Sequence, residues 1–204
     1  MSEDFELMGL FPIPLIKIKF KYHDKYNFPE VEKKENKPDE WNCSLNTSFP
    51  AIFDTDSIVS PTVRDSFIKD LLECVKEVIG KLNMPTNIGI SQLWYNIYHD
   101  NQGQEPHHHL PMVGGTLPFW CGIYYNKNAS PTTFHRSDRL YQTQLFTGYP
   151  ESAMNGILGL HCSPPVEDGD ILLFPPHLEH SVQSKPENKN KMRMTFSFNI
   201  GIEK

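Results

Sequence analysis

Residues 104–109 read Gln-Glu-Pro-His-His-His, and the chain continues into an aromatic run, Phe-Trp-Cys-Gly-Ile-Tyr-Tyr, at residues 119–125. Three consecutive histidines in front of a strand-like segment are unusual in a globular protein. Because neighbouring side chains of an extended chain point to opposite faces, His107 and His109 can share one face while His108 points away. Two imidazoles on one face form half of a metal site, so the other half must come from elsewhere in the chain.

The best candidate for the second half lies at residues 175–180, which read Pro-Pro-His-Leu-Glu-His. A Gly-Asp turn and a short apolar run precede these residues, and the two prolines reverse the chain toward His180. We therefore predict His180 as the third metal ligand. Neutral imidazoles suit Fe, Zn, Cu or Ni. Glu105 is the acid nearest to the histidines, but we do not expect it to be a ligand.

The last strand-like segment alternates between polar and apolar side chains. The polar set is Arg193, Thr195, Ser197 and Asn199, and the apolar set is Met194, Phe196, Phe198 and Ile200. Polar groups are costly to bury against hydrocarbon, so we expect the polar face to line a ligand-filled barrel and the apolar face to pack against a helix. Arg193 is then a candidate for binding a carboxylate, since a guanidinium holds that group through two parallel hydrogen bonds.

Residues 60–82 predict the clearest α-helix. Ser60 suits the N-cap, and Pro61 suits the first turn. The apolar stripe at helical spacing comprises Val63, Phe67, Ile68, Leu71, Leu72, Val75, Val78, Ile79 and Leu82. The opposite face carries Lys69, Asp70, Glu73, Lys76 and Glu77. We expect the stripe to pack on a sheet rather than to serve as a partner surface.

Most of the remaining chain has the pattern of short β-strands. Strand-like runs occur at residues 16–22, 93–98, 132–134, 142–146 and 171–174, and residues 157–162 are either a strand or a lid element. Trp41 is expected to anchor the core. Neither an internal repeat nor a domain boundary is visible, so we predict a single domain over residues 1–204, mainly β, folded as a barrel or jelly roll with a supporting helix.

Composition narrows the classes of protein. A chain of 204 residues with 38% hydrophobic content is expected to be globular, and its net charge of −6 argues against a nucleic-acid binder. No two of the cysteines, Cys43, Cys74, Cys121 and Cys162, form a Cys-x-x-Cys pair, which favours reduced thiols in an intracellular protein. We see no signal peptide and no apolar run of membrane-spanning length, and therefore expect a cytoplasmic protein without membrane partners.

The order of these motifs resembles the Fe(II)/2-oxoglutarate-dependent oxygenase superfamily, and within it a group of 2OG-Fe(II) oxygenases found in bacteria and phages. The matching motifs are Leu-Phe-Pro-x-Pro at 10–14, Trp94-x-Asn96, Pro106-His107-x-His109, Cys-Gly-Ile-Tyr-Tyr at 121–125, the block at 173–182, and Arg-x-Thr-x-Ser-Phe-Asn at 193–199. The likeness covers most of the chain, and residues 169–199 are its most specific part. Residues 146–163 have no match.

This resemblance implies a double-stranded β-helix, a cupin-like barrel, in which His107, His109 and His180 bind Fe(II). It implies that Arg193 and Tyr125 bind 2-oxoglutarate. His109 occupies the position where the wider superfamily carries Asp or Glu, which leaves less negative charge around the iron. The implied reaction couples decarboxylation of 2-oxoglutarate to succinate with oxidation of a substrate, by default its hydroxylation.

Several questions stay open at this level. The substrate could be a peptidyl residue, a small metabolite or a nucleotide, and the protein could be a homodimer; if it is phage-encoded, it would work in the host cytoplasm. Two alternative functions also remain: a cupin-like three-His metalloenzyme without 2-oxoglutarate, and a non-catalytic barrel for binding or assembly. The histidines at 107–109 could also form a surface loop, and those at 99, 135, 161 and 177 are interpreted as structural or as supporting the site.

Overall fold

The structure, a computed structural model, describes residues 13–32, 35–49, 58–110, 118–136, 161–183 and 191–203. Ten strands and one α-helix lie in these ranges, together with a 3-10 turn at His23–Lys25. The elements are β1 (Ile16–Lys19), β2 (Asn46–Thr47), α1 (Pro61–Lys81), β3 (Ile88–Tyr98), β4 (Gln104–His107), β5 (Trp120–Lys127), β6 (Thr133–His135), β7 (His161–Cys162), β8 (Asp170–Phe174), β9 (His180–Val182) and β10 (Arg193–Ile202).

The strands form two antiparallel sheets that face each other. The larger sheet has the order β1-β8-β5-β10-β3-β2, and the smaller has the order β4-β9-β6-β7. Aromatic side chains join the two sheets, because Phe174 of β8 lies with its ring centroid 5.1 Å from that of Phe134 in β6 and 4.7 Å from that of His180 in β9. This is the two-layer, mainly β arrangement that the sequence predicts.

Strand β10 lies at the centre of the larger sheet, between β3 and β5. Its apolar side chains point to the outer face and join the main core with α1, where the rings of Phe196 and Phe67 have centroids 5.2 Å apart. Its polar side chains are also buried, but they point to the space between the sheets. The predicted division of β10 into a core face and an interior polar face is confirmed.

Helix α1 starts as the sequence predicts. The Ser60 side chain accepts a hydrogen bond from the Val63 backbone N–H at 3.4 Å, and Pro61 opens the first turn. The apolar stripe packs on the outer face of the larger sheet, although Val63 and Leu82 at its two ends remain exposed. The helix therefore closes one side of the larger sheet and leaves the other side to the interior of the barrel.

Two expectations about burial are wrong. Asp70, which the pattern places on the charged face of α1, is buried because Tyr26 and Lys25 reach over the helix and hydrogen-bond its carboxylate. Trp41 is only partly buried; it stacks on Phe49 at 5.3 Å between ring centroids and packs at the edge of a small satellite cluster instead of the main core. For Asp70, contacts from residues more than forty positions away, which periodicity does not register, decide the environment.

Some predictions concern residues that the structure does not describe. The strand predicted at 142–146 lies wholly outside the described residues, and of residues 157–162 only His161 and Cys162 are described, as β7. All four cysteines are described, and all are free thiols. In the part of the chain that the structure covers, no helix has the length and apolar character needed to cross a membrane.

Candidate metal centre

Strand pairing brings the predicted histidines together. His107 is the last residue of β4 and pairs directly with His180, the first residue of the adjacent strand β9, so the two imidazoles are neighbours with ring centroids 4.3 Å apart. His109 follows β4, and its backbone N–H donates to Pro176 O at 3.0 Å, which ties the loop to the turn before β9. One ring nitrogen from each imidazole lies within 4.8 Å of the others, and among the described residues this is the group with metal-binding geometry.

All three imidazoles use Nδ1 for a hydrogen bond to an oxygen. For His107 the acceptor is Glu105 O at 2.9 Å, for His180 it is Leu178 O at 3.0 Å, and for His109 it is Asn199 Oδ1 at 2.8 Å. An oxygen acceptor requires an N–H donor, so the proton lies on Nδ1 in each ring. Each Nε2 therefore keeps its lone pair, which is the state in which an imidazole binds a metal.

Burial keeps these rings uncharged. Loss of solvent lowers the pKa of His107 below its ordinary value, lowers that of His109 to about 4, and holds that of His180 well below the usual range. Repulsion between the neighbouring histidines lowers the pKa of His109 and His180 further. Neutral imidazoles close together in a buried site are suited to a cation, since a metal takes only the unprotonated ring.

The neighbouring groups take other places. His108 is exposed, and its Nδ1 accepts a hydrogen bond from the Leu110 backbone N–H. Glu105 is turned toward residue 42, where its Oε1 accepts from the Asn42 backbone N–H at 3.2 Å, and it is not part of the metal-binding group. Over the described ranges, that group contains no carboxylate.

Arg193 lies in the same interior, at the start of β10. Only 3% of its surface is exposed, and its guanidinium carbon lies 5.2 Å from the ring centre of Tyr98 and 5.7 Å from that of Tyr125. Its Nε and Nη2 are buried and find no hydrogen-bond partner among the described residues. Burial lowers the pKa of Arg193, the direction expected of a cation removed from water.

A narrow cavity between the sheets connects the arginine with the histidines. Its walls include His107, His180, Arg193, Thr195 and Ser197. A buried guanidinium is costly when its donors lose water without gaining an acceptor, and Nε and Nη2 of Arg193 have no acceptor among the described residues. The site thus fits a metal, which the free imidazole nitrogens can bind, and an anionic ligand, which these guanidinium donors can hold.

Tyr125 is fully buried beside Arg193, which is where the sequence predicts it. Its hydroxyl donates to Thr132 Oγ1 at 2.8 Å, so its oxygen remains able to accept a hydrogen bond. Tyr98 contacts the guanidinium as well, and its hydroxyl donates to Gln104 Oε1 at 3.1 Å. Sequence reasoning missed Tyr98, because its proximity to Arg193 depends on the pairing register of β3 with β10.

The aromatic residues of β3 and β5 divide between the two faces of the larger sheet. Trp94 lines the cavity, with its ring centroid 5.6 Å from that of His109. Trp120 and Tyr124 belong to the core on the opposite face. Trp41 stacks against His107 at 6.4 Å between centroids, so the residue wrongly expected in the core lies next to the metal centre instead.

Comparison with known proteins places the chain in a family. A model of the family described as "Putative 2OG-Fe(II) oxygenase" matches residues 92–199, which contain all the site residues named above. No curated protein sequence matches the chain.

Similar folds occur among solved structures. HygX from Streptomyces hygroscopicus, with nickel and 2-oxoglutarate bound, is 13% identical, with 93% of this chain and 83% of HygX covered and a TM-score of 0.52. SnoN, a non-heme alpha-ketoglutarate-dependent epimerase from nogalamycin biosynthesis, is 10% identical, with 93% of this chain and 78% of SnoN covered and a TM-score of 0.52. An oxidoreductase of the 2OG-Fe(II) oxygenase family from Burkholderia pseudomallei is 10% identical, with a TM-score of 0.45, and the alignment spans 69% of this chain but only 57% of that protein.

The fold is thus the double-stranded β-helix, as the sequence implies. The matched region covers more than half of the 204 residues, and the cavity offers ligands for a metal and for an anion. The chain belongs to the 2OG-Fe(II) oxygenase family, with Fe(II) and 2-oxoglutarate as its cofactors.

Proposed function

We propose that the protein is an Fe(II)- and 2-oxoglutarate-dependent dioxygenase that hydroxylates an organic substrate and releases succinate and CO2. His107, His109 and His180 are the metal ligands, and Arg193 with Tyr125 holds 2-oxoglutarate. The observation that carries this proposal is that three imidazoles with free Nε2 atoms meet beside a cavity that Arg193 also lines, and that Nε and Nη2 of Arg193 find no hydrogen-bond partner among the described residues.

The three histidines contribute orientation and charge state. Backbone carbonyls fix the rings of His107 and His180, so these ligands are set before the metal arrives. Bound Fe(II) supplies activation of dioxygen, which the family couples to decarboxylation of 2-oxoglutarate and oxidation of a C–H bond. Because all three ligands are neutral, the centre has one more positive charge than a site with two histidines and a carboxylate, which favours anionic ligands.

Arg193 provides the recognition of 2-oxoglutarate. Its Nε and Nη2, which lack a partner among the described residues, can hold the carboxylate remote from the metal through charge-assisted hydrogen bonds, and the Tyr125 ring lies 5.7 Å from the guanidinium carbon. The Tyr98 ring on the same guanidinium limits its movement and excludes water. Exclusion of water strengthens the attraction between the guanidinium and the carboxylate, since the same ion pair is far weaker in water.

The alternative functions have less support. Neither a cupin-like enzyme without 2-oxoglutarate nor a non-catalytic barrel explains why Nε and Nη2 of the buried Arg193 lack a partner among the described residues. Hydroxylation is the outcome we propose, although one protein with a similar fold is described as an epimerase. The substrate is a peptidyl residue or a small molecule, and identification of the oxidised product decides between hydroxylation and another outcome.

Succinate formation tests the proposal. Purified protein with Fe(II), 2-oxoglutarate and O2 should release succinate, slowly without substrate and faster with it. His180→Ala should abolish both iron binding and succinate release, because it removes one of three ligands. His177→Ala is the matched control, since that histidine is exposed three residues away and should leave both unchanged. Undiminished iron occupancy in the His180 variant would contradict the ligand assignment.

A further inference from the structure

His109 is held differently from the other two histidines of the site. The Nδ1 acceptors of His107 and His180 are backbone carbonyls, whose orientation is set by the strands. The acceptor of His109 is a side-chain amide, Asn199 Oδ1 at 2.8 Å. An amide can present either its oxygen or its NH2 group, so the state of His109 depends on what fixes Asn199.

Gln92 fixes the orientation of Asn199. The Asn199 Nδ2 donates to Gln92 Oε1 at 2.6 Å, which turns Asn199 Oδ1 toward His109. If the Asn199 amide were rotated by half a turn, its NH2 group would face His109 Nδ1. Nδ1 would then have to accept, and the proton of the imidazole would move to Nε2, the atom needed by a metal.

The register of the larger sheet brings this pair together. Asn199 of β10 is directly opposite Gln92 of β3, and the register of the two strands shifts immediately afterwards, between Asn199 and Ile200. Asn199 is fully buried, and Gln92 is 7% exposed. Solvent therefore cannot easily replace either hydrogen bond, and a buried polar pair of this kind is retained only when its geometry is satisfied.

We propose that Gln92 and Asn199 form a positioning relay that holds His109 in its Nδ1–H form and thereby makes a histidine usable at the ligand position where the wider superfamily has an acid. The inference rests on the proposed three-His ligand set. Asn199 and Gln92 act through His109 and are positioning residues, not catalytic ones. Because both partners are neutral amides, the relay fixes the proton without adding negative charge to the centre.

The tautomer of His109 in the metal-free protein is the first test. Two-bond 1H–15N correlation spectra of 15N-labelled apoprotein at pH 7.5 distinguish the Nδ1–H and Nε2–H forms of each histidine. We expect the Nδ1–H form for His109 in the wild type. A predominantly Nε2–H form would overturn the relay, whatever the metal affinity of the protein.

Variants of the relay give the second test. Asn199→Leu removes the acceptor and should shift His109 toward the Nε2–H form while His107 and His180 stay unchanged; Fe(II) affinity should fall about 10- to 100-fold. Asn199→Asp keeps an oxygen acceptor and should retain both the Nδ1–H form and the Fe(II) affinity.

Gln92→Leu should shift the His109 tautomer and lower the Fe(II) affinity in the same direction as Asn199→Leu, but by less. Gln92→Glu should leave both the tautomer and the affinity as in the wild type.

A variant of a second buried amide, Asn126, serves as a control that distinguishes a specific effect on the His109 tautomer from a general loss of stability. Asn126, which donates to the Tyr26 carbonyl and contacts the Tyr124 hydroxyl, lies on the other face of the larger sheet. Asn126→Leu should lower stability without altering the His109 tautomer. If it shifts that tautomer as Asn199→Leu does, or if Asn199→Asp fails to rescue, the relay is wrong. Absence of iron binding in the wild type would instead contradict the proposed function and leave the tautomer result to decide on the relay.

Discussion

Arg193 is the residue whose energetics are most unusual, because a full charge is buried without an anion among the residues that the structure describes. Desolvation of such a group opposes folding, so the apoprotein is less stable than it would be with an apolar side chain there. The same desolvation strengthens binding of a carboxylate. In the proposed function, Arg193 therefore lowers the stability of the ligand-free protein and raises its affinity for 2-oxoglutarate.

Arg193→Met should raise the 2-oxoglutarate concentration needed for half-maximal succinate release by roughly 10- to 100-fold, the value of hydrogen bonds to a charged group. Urea unfolding of the apoprotein should show a free energy of unfolding equal to or above that of the wild type. Lys191→Met is the matched control, because Lys191 is an exposed cation two residues away. An unchanged 2-oxoglutarate requirement in the Arg193 variant would favour an enzyme that does not use this cosubstrate.

The site residues predicted from the sequence are those whose role follows from their spacing to near neighbours in the chain. The pleat places His107 and His109 on one face, and the alternation of the last strand places Arg193 inward. Tyr98 and Gln92 could not be found in this way, since each reaches the site through the register of β3 against β10. The alternation of the last strand placed Asn199 on its polar face. Its hydrogen bond to His109 could not be predicted, because the two residues lie far apart in sequence.

Among the elements, β5 and β10 meet at a contact that only glycine allows. Gly122 of β5 pairs with Phe198 of β10, and a Cβ atom at residue 122 would lie 2.1 Å from the ring of Phe198. The ring packs in the core against α1, so it has no free space to move into. The close approach of these strands therefore depends on the absence of a side chain at 122.

Gly122→Ala should lower the free energy of unfolding by about 1–3 kcal/mol, the usual cost of overpacking a core. Chemical denaturation measures this loss, and Phe198→Leu should recover part of it in the double variant. At Gly201 an added Cβ would meet no atom closer than 3.8 Å, so Gly201→Ala is the control and should be nearly neutral. Equal stability of the two alanine variants would contradict the packing described here.

Helix α1 is attached to the N-terminal segment through Asp70. Burial opposes its ionisation, but hydrogen bonds from Lys25 and Tyr26 outweigh that effect and hold the pKa of Asp70 below its ordinary value of 3.8. A carboxyl group whose pKa is depressed by folding stabilises the protein above its unfolded pKa. This stabilisation should be lost as the pH falls through the depressed pKa.

Asp70→Asn should reduce the free energy of unfolding at pH 7 by about 1–3 kcal/mol, because the Tyr26 hydroxyl loses a charged acceptor in a buried position. The difference from the wild type should begin to shrink below about pH 4, where the carboxyl of the unfolded chain becomes protonated, and should disappear once the pH has fallen through the depressed pKa of the folded protein. Urea denaturation at a series of pH values measures this. A difference that is constant with pH would show that the ionised form contributes nothing.

The sequence predicted secondary-structure elements best where a single hydrophobic periodicity extends over many residues. The alternation of β10 and the capped start of α1 were predicted correctly, since each depends on neighbours in sequence. The short strands of the smaller sheet are two to four residues long, too short for a pattern to define them. Asp70 was misassigned because its burial comes from residues more than forty positions away.

At the level of the molecule, the site joins the two sheets. His107 and His180 belong to β4 and β9 of the smaller sheet and His109 to the loop after β4, whereas Arg193 belongs to the larger sheet. In the proposed function, a ligand that reaches from the metal to Arg193 therefore connects the two sheets. The family resemblance implied the double-stranded β-helix, whereas the pairing order, β1-β8-β5-β10-β3-β2 and β4-β9-β6-β7, is visible only in the structure.

Removal of metal should accordingly weaken the whole fold. Fe(II) or a redox-inert substitute such as Zn(II), at a concentration 100 times its dissociation constant, should stabilise the protein by about 2.7 kcal/mol. 2-Oxoglutarate should add further stability in the presence of metal but little in its absence. Thermal unfolding with and without each ligand measures this, and an equal effect of 2-oxoglutarate on metal-free protein would contradict a shared site.

We propose that Fe(II) binds to three histidines and that 2-oxoglutarate lies between that metal and Arg193. Anaerobic titration of 2-oxoglutarate into the Fe(II)-loaded protein tests this arrangement, by the weak visible charge-transfer band that a keto acid produces when it chelates Fe(II). We predict that the band appears in the wild type, requires more 2-oxoglutarate in Arg193→Met, and is absent in His180→Ala. Iron binding without any such band would contradict the account and leave a three-His metal site that does not use 2-oxoglutarate.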